Sequence, residues 1–363
     1  MPRVVGVDPG TLSFDLCGLE AGRVFLQASL ETDAVARAPD LLVERLAAAR
    51  PLDLVAAPSG FGLPLVSVRD ADPAGLDQVI LARPADRRKP ERVGDLRAIV
   101  AGLRAHDLPA VLLPGVIHLS TVPPHRKVNR IDMGTADKLC VAALGIADQA
   151  RRLALPLEQT AFILVELGGA FTAGVAVEGG RVVDGIGGTG GALGYRALGT
   201  LDGELAYLLG DVRKSTLFSG GAAYVAGDPA LPPEELLPRS RTDPDAALAW
   251  AALRESVQKL VAALRVSVPA PREILLSGRL SRVPAIAGEL AAALDGAPVR
   301  RLTGFATGCK EAAQGAALLA DGLAGGPHRA LVDVMELRRA GGTVLDHLFV
   351  AGADRVRRAF GLP

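Results

Sequence analysis

Residues 162–191 read FILVELGGAFTAGVAVEGGRVVDGIGGTGG. An apolar run from Phe162 to Val165 ends in an acid, Glu166, and the pair Gly168–Gly169 follows. A second apolar stretch, Ala173 to Val177, enters a Glu178-Gly179-Gly180 turn, and a third begins at Arg181. Apolar runs of strand length broken by glycine turns predict a strand, a turn and a hairpin. The chain opens the same way, with RVVGVDPGTLSFDLCGLEAGRVFLQ from Arg3 to Gln27. There Val4 to Val7 end in Asp8, Gly10 follows, and a hairpin turns at Glu20-Ala21-Gly22. The two stretches align without a gap at an offset of 158, the difference between 166 and 8. Val7 then meets Val165, Gly10 meets Gly168, Glu20 meets Glu178, Gly22 meets Gly180, Arg23 meets Arg181 and Val24 meets Val182. Glycine-turned hairpins resemble one another by chance. The matched acid and glycine at corresponding strand ends favour an internal repeat.

At 363 residues the chain is long enough for two domains with full cores. Its 40 basic and 40 acidic residues balance, so no basic excess points to nucleic acid or an anionic membrane. Hydrophobic residues make up 49%, but Ala, Val and Leu are spread along the chain and no run of about 18 apolar residues occurs, which excludes a membrane span. The N-terminus begins directly with a predicted strand, without a signal-like segment. The three cysteines form no CxxC pair, and Cys17 and Cys140 fall at core-facing positions, as expected for a cytoplasmic protein. The five histidines show no zinc-ligand spacing.

Around the two hairpins, helices and strands alternate. Asp40 to Arg50 predicts an amphipathic helix stopped by Pro51, and Leu52 to Ala56 a buried strand. PSGFGLPLV (Pro58–Val66) reads either as a ligand loop at a strand's C-terminal end or as a plain connection. Gln78 to Ala82 predicts a strand, Val93 to His106 a helix, and Ala110 to Leu113 a strand. The polar-basic HLSTVPPHRKVNRIDMGTADK (His118–Lys138) leads into a long helix, Gly134 to Arg152, with Asp132 as an N-terminal acid and Thr135 near the cap. Beyond the second hairpin, Glu204 to Leu209 reads as helix, Pro229 to Pro244 as a surface excursion, and Asp245 to Val266 as a long helix. A strand at Ile274 to Leu276, a helix at Ile286 to Leu294 and a strand at Val299 to Leu302 follow. Lys310 to Leu319 is an Ala-rich helix, and the tail to Pro363 reads as mostly helical.

Glycine turns at strand ends let a backbone approach an anion, and adjacent N–H groups form a nest for phosphate. Two such turns facing one cleft would bracket a phosphate chain. An acid between them would hold Mg²⁺ through water, with Asp8 the first candidate and Glu166 the second. Gly185-Ile-Gly-Gly-Thr-Gly190 satisfies GxGxxG, but GALGYRALG after it is a poor helix start, which disfavours a dinucleotide fingerprint. A loop near nucleotide phosphates, using Gly188 and Gly190, fits better.

These motifs carry a resemblance. VVGVDPGT (Val4–Thr11) resembles the first phosphate motif of the acetate and sugar kinase, heat-shock cognate and actin superfamily. ILVELGGAFT (Ile163–Thr172) resembles its second, and EILLSGRLSRVP (Glu273–Pro284) its adenosine motif. The helices after Met133 and after Gly308 resemble its two connecting helices. PSGFGLP, NRIDMGTADKL, ELGGAFT and LLSGRLSR look most like a largely archaeal family labelled predicted butyrate kinase. The resemblance implies an α/β fold of two ribonuclease-H-like (actin-like ATPase) domains related by internal duplication, with a cleft between them. It implies lobes at 1–145 and 146–308, with 309–363 packing back on the hinge or first lobe. It also implies ATP with Mg²⁺, a small-molecule phosphate acceptor, and a homodimer.

Residue by residue, the resemblance implies that Asp8 orients Mg²⁺ and that Thr11 and Thr172 donate hydroxyls to phosphate. Gly10, Gly168 and Gly169 would admit phosphate, and Gly278, Arg279 and Ser281 would lie near the nucleoside. Two acceptor types stay open. A carboxylate is already ionised and calls for a cation, from Arg126, Lys127 or Arg130. A hydroxyl calls for a base, and Asp132 stands where sugar kinases of the superfamily place theirs. Asp132 also suits a helix N-terminus, and the basic cluster also suits a solvated loop. Met133 and Asp137 stand where acetate kinases have histidines, so that histidine's role does not carry over. A nucleotide-binding protein without catalysis is the second reading.

Overall fold

A computed structural model describes residues 1–81, 83 and 96–363. The first hairpin is an antiparallel meander of β1 (Arg3–Pro9), β2 (Ser13–Glu20) and β3 (Arg23–Glu31). Then come α1 (Thr32–Arg37), α2 (Asp40–Ala47), β4 (Leu54–Ala57), β5 (Gly62–Ser67), α3 (Pro73–Ile80), α4 (Leu96–Ala105), β6 (Ala110–Pro114) and α5 (Pro124–Lys127). The sheet order is β3-β2-β1-β4-β6-β5, with β4 and β6 running parallel to β1. The connecting helix α6 (Ala136–Leu153) leads to a second meander, β7 (Ala161–Leu167), β8 (Thr172–Glu178) and β9 (Arg181–Ile186). Helices α7 (Gly203–Leu209), α8 (Ala222–Val225), α9 (Pro233–Ser240) and α10 (Pro244–Arg265) precede β10 (Glu273–Ser277), α11 (Pro284–Ala293) and β11 (Val299–Arg301). This sheet runs β11-β10-β7-β8-β9, with β10 and β11 parallel to β7. The chain closes with α12 (Glu311–Leu323), α13 (Arg329–Val334) and α14 (Ala353–Ala359).

The repeat is therefore structural, and it reaches beyond the hairpins to β4/β10 and β6/β11. Even a β-bulge is copied. The ladder slips between Gly18 and Leu19 in one meander and between Ala176 and Val177 in the other, again at an offset of 158. The turn bond is copied as well: Gly10 N–H donates to Ser13 O at 3.0 Å, and Gly168 N–H donates to Phe171 O at 2.9 Å.

Strand alternation sends successive side chains to opposite faces. Val5 and Val7 join the outer core of the first lobe, while Val4 packs inward against the connecting helices. In the second lobe Ile163 and Val165 pack outward, while Phe162 and Leu164 pack inward. By the same alternation Asp8 and Glu166 lie on the inner faces of their strands. The helices α6 and α12 lie between the sheets. Helix α12 lies against β1, where a Cβ on Gly6 would come 2.2 Å from Ala317 N. Helix α6 belongs to the second sheet, where Gly145 makes room for the Phe162 ring and Glu273 of β10 accepts a 2.7 Å bond from Gln149. The helices cross where Gly315 approaches the Cys140 carbonyl so closely that any side chain would clash.

Several expected elements differ. Gln78 to Ile80 end a helix rather than form a strand, and Ala82 lies outside the described residues. Asp72 caps that helix, accepting from Gly75 N–H at 2.6 Å, with Pro73 at its first position. The expected helix from Val93 is described from Leu96, and residues 93–95 lie outside the described set. Most of Pro58–Val66 is not a ligand loop: from Gly62 it forms β5, an antiparallel edge strand with a register slip that accommodates Pro64. Pro229–Pro244 contains α9, whose Leu236 and Leu237 are buried against α10, so it is not a surface excursion. The tail after α12 holds only short helices joined by irregular segments, not mostly helix. All three cysteines are free and buried.

Candidate active site

The turn after β1, the turn after β7 and the segment after β10 meet at one point. A Cβ on Gly169 would lie 3.6 Å from Leu12 Cδ1 and 3.7 Å from Arg279 Cδ. The N–H groups of Gly10 and Gly168 close their own turns and are not available to a ligand. The next two in each turn are different. Among the described residues, the N–H groups of Thr11, Leu12, Gly169 and Ala170 donate to no partner. They form matched pairs at the same offset, with Thr11 exposed at the mouth.

Behind the turns lies a cluster of charges. Asp8 is 5% exposed, and no hydrogen bond ends on its carboxylate among the described residues. Burial raises its pKa to about 7, against the lowering effect of Lys310. Lys310 Nζ lies 4.0 Å from Asp8 Oδ2, 2.9 Å from Asp15 Oδ2 and 3.1 Å from Ser13 O. Glu166 is met by Lys138, whose Nζ lies 3.2 Å from Oε2. Oε2 accepts no well-directed hydrogen bond, and burial holds the Glu166 pKa above the ordinary range. Lys138 also contacts Asp137 closely. Burial opposes its charge, but Asp137 and then Glu166 outweigh that effect, so its pKa is raised and it stays cationic. Asp137 is correspondingly held low: burial works to raise it, and Lys138 more than reverses this.

The other expected residues divide. Gly278 has φ +83° and lies against the Glu166 carboxylate, where a Cβ would come 2.7 Å from Oε1. Arg279 is exposed beside Gly169, whereas the Ser281 hydroxyl donates to Gly278 O at 2.7 Å and braces the turn. Thr172 is not at the cleft. It pairs with Leu167, is wholly buried, and the repeat maps it onto Phe14, an outer-core residue of the first lobe. Gly188 faces the Phe171 side chain rather than an open turn, while Gly190 would place a Cβ 3.8 Å from Arg130 Nη1. No helix opens after Gly190, which removes the dinucleotide reading.

Asp132 is heavily engaged. Oδ1 accepts from Gly134 N–H at 3.2 Å, and Oδ2 accepts from Thr189 N–H at 3.0 Å and from the Thr189 hydroxyl at 2.9 Å. It ties the segment before α6 to the loop after β9 rather than capping α6. The basic cluster is split. Arg126 donates to Val183 O at 2.7 Å, and Lys127 turns inward to donate to Leu119 O at 2.8 Å. Arg130 remains exposed.

Sequence reasoning passed over Lys138, Lys310 and Asp15. A signal existed for the lysines. Each stands at the start of a connecting helix, where the helix dipole disfavours a cation, so an acid must be near to hold it.

The fit of Mg²⁺ can be judged from the donor set. Among the described residues no group of three or more His, Cys, Asp or Glu could hold a metal. A fully protein-bound ion therefore does not suit the site. Asp8, buried and accepting no hydrogen bond, does suit a hydrated ion arriving with phosphates. Glu166 is already engaged by Lys138.

Solved structures share the architecture. A propionate kinase from Francisella tularensis subsp. tularensis SCHU S4 matches with TM-score 0.59 and 14% identity, covering 87% of this chain and 99% of that one. An acetate kinase from Porphyromonas gingivalis matches with TM-score 0.57 and 15% identity, covering 80% and 86%. The Entamoeba histolytica acetate kinase gives TM-score 0.57 at 11% identity, covering 80% and 85%. The chain shares the fold of these acetate and propionate kinases. The chain belongs to the family described as "Protein of unknown function (DUF1464)", whose model matches residues 6–350. A comparison with curated proteins found no match.

Proposed function

We propose that the chain is an ATP-dependent phosphotransferase for a small-molecule acceptor, with the nucleotide phosphates lying between the two glycine turns. The supporting observation is the matched pairs of unengaged N–H groups, at Thr11–Leu12 and Gly169–Ala170, where three motif loops converge. Those groups would hold phosphate oxygens, and Gly278 with Arg279 would lie toward the nucleoside. Asp8 would hold the waters of Mg²⁺, which when bound neutralises charge on the transferring group. In the transfer, the bond between the γ-phosphorus and its bridging oxygen breaks, a bond to the acceptor oxygen forms, and ADP leaves.

The acceptor in this reading is a short-chain carboxylate. Asp132 has both oxygens engaged, so it is poorly placed to take a proton from a hydroxyl. A carboxylate, with a reference pKa of about 4, brings no proton to remove. Arg130, exposed beside Gly190, supplies the cation at the edge of the cleft. The same reading has a cytoplasmic homodimer acting on free small molecules, without nucleic-acid or membrane partners. Among the described residues no helix is long and apolar enough to cross a membrane.

The test is ADP formation by the full chain with ATP and Mg²⁺ over a panel of acetate, propionate, butyrate and polyols. Turnover that depends on a carboxylate is the expected result. Turnover with polyols alone overturns the acceptor class. ATP binding without any turnover selects a non-catalytic nucleotide-binding protein, the reading that the Asp137–Lys138 pair favours at a position where acetate kinases carry a histidine.

A further inference from the structure

Each connecting helix brings one lysine to one strand-end acid. Lys138, in the first turn of α6, meets Glu166 of the second lobe, and Lys310, at the start of α12, lies near Asp8 of the first. The pairs are alike in plan and unlike in freedom. Lys138 has a side chain 15% exposed and is held between two carboxylates, Asp137 and Glu166. Lys310 is 34% exposed and reaches across the first turn, so that a Cβ on Gly10 would lie 2.6 Å from its Nζ. No side chain at Gly10 stands between the ammonium and the turn whose next two N–H groups are unengaged.

We propose that Lys310 is a nucleotide-binding residue whose ammonium leaves Asp15 for the terminal phosphate of the bound nucleotide. The proposal rests on the nucleotide reading of the cleft. Two buried carboxylates, Asp8 and Asp15, lie behind the first turn, and a polyphosphate entering beside them needs a cation between the negative groups. Lys310 is already there. Its backbone is fixed, since its carbonyl accepts from Gln314 N–H at 3.2 Å in the first turn of α12. The side chain need only swing. Asp15 is not left without a partner when it does, because the Ser13 hydroxyl donates to Asp15 Oδ2 at 2.7 Å.

The test is calorimetric titration of the full chain, and of the variants Lys310→Met, Lys310→Arg and Asp15→Asn, with ATP and with ADP in the presence of Mg²⁺. A contact to the terminal phosphate alone makes Lys310→Met lose ATP affinity by about 10- to 100-fold, the worth of one charged hydrogen bond, with ADP affinity little changed. Lys310→Arg restores most of the loss. Asp15→Asn, which frees the ammonium, binds ATP at least as well as the parent. The proposal is overturned if Lys310→Met binds ATP like the parent, or if it loses ATP and ADP equally and Asp15→Asn does the same, since Lys310 would then only brace the first lobe. If the parent binds neither nucleotide, this proposal and the nucleotide reading fall together. If the ATP-selective loss appears but no acceptor is phosphorylated, Lys310 stands as a phosphate contact and only the transferase reading fails.

Discussion

Asp8 and Glu166 end equivalent strands, lie on the inner faces of their sheets and follow the same alternation, yet they have been put to different uses. Asp8 is left without a hydrogen bond, its nearest cation 4.0 Å away, and burial pushes its pKa up to about 7. Glu166 is compensated by Lys138 at 3.2 Å, which also binds Asp137. The Asp15 that accompanies Asp8 corresponds to Ala173 in the second lobe. Duplication copied the backbone down to a bulge and a turn bond, while the charges diverged. A strand end whose acid is already paired with a lysine is a brace. One whose acid is unbalanced awaits a cation, and that contrast can be attacked directly.

The largest expected effect lies on the braced side. Lys138→Met strips the cation from Asp137 and Glu166 and leaves buried carboxylates unpaired. It should destabilise the fold by about 3–5 kcal/mol, measured by denaturant unfolding. A loss within about 0.5 kcal/mol would mean that the second strand end is as open as the first. Next comes the unbalanced side. Asp8→Asn should lower phosphoryl transfer by about 100-fold or more while leaving the protein folded. If Glu166→Gln lowers transfer as far without loss of stability, the division between brace and functional acid is wrong.

The sequence carried much of this, unevenly. The offset between Asp8 and Glu166 was legible because turn glycines and strand-end acids are local signals, and the structure extends the repeat to β4/β10 and β6/β11. Thr172 was misjudged because a hydroxyl near a glycine pair looks like a phosphate ligand. Applying the same offset to Phe14 would have placed it in the outer core. The helix at Pro73–Ile80 was hidden by its apolar run, although Asp72-Pro73 is a helix-start signal. The engagement of Asp132 by Thr189 was not legible, because 57 residues separate the partners and only tertiary packing joins them. Lys138 and Lys310 stood between these cases: unfavourable positions on their helices marked them, but their partners lie on strands distant in the chain.

A smaller effect separates the lobes by packing. At β1 the helix backbone fills the space beside Gly6, so Gly6→Ala should cost about 1–3 kcal/mol. In the second lobe the glycine is on the helix. A Cβ on Gly145 would meet the edge of the Phe162 ring at 2.8 Å, and alanine's higher helix propensity offsets part of that crowding. Gly145→Ala should therefore lower the melting temperature by less than Gly6→Ala does. Equal losses at the two sites would show that both lobes hold their connecting helices equally tightly.

The smallest effect is on stability against pH, and it reads the Asp8 environment without any ligand. The folded pKa of Asp8, about 7, lies above the unfolded value near 3.8, so the folded state holds the proton more tightly. Its contribution is fully present below about pH 4 and is lost as pH rises through about 7. Glu166 is shifted in the same direction. His118 acts oppositely: burial lowers its pKa from 6.5 to about 4, so stability is lost as pH falls from about 6.5 toward 4. The two trends overlap in the parent protein. The difference between the parent and Asp8→Asn removes His118 and Glu166 from the comparison, because both proteins carry them. Asp8→Asn should therefore gain on the parent by a few degrees in melting temperature between pH 5 and 8, with the gain levelling off above about pH 8. A flat difference across that range would mean that burial does not hold a proton on Asp8, and the contrast drawn between the two strand ends would lose its basis.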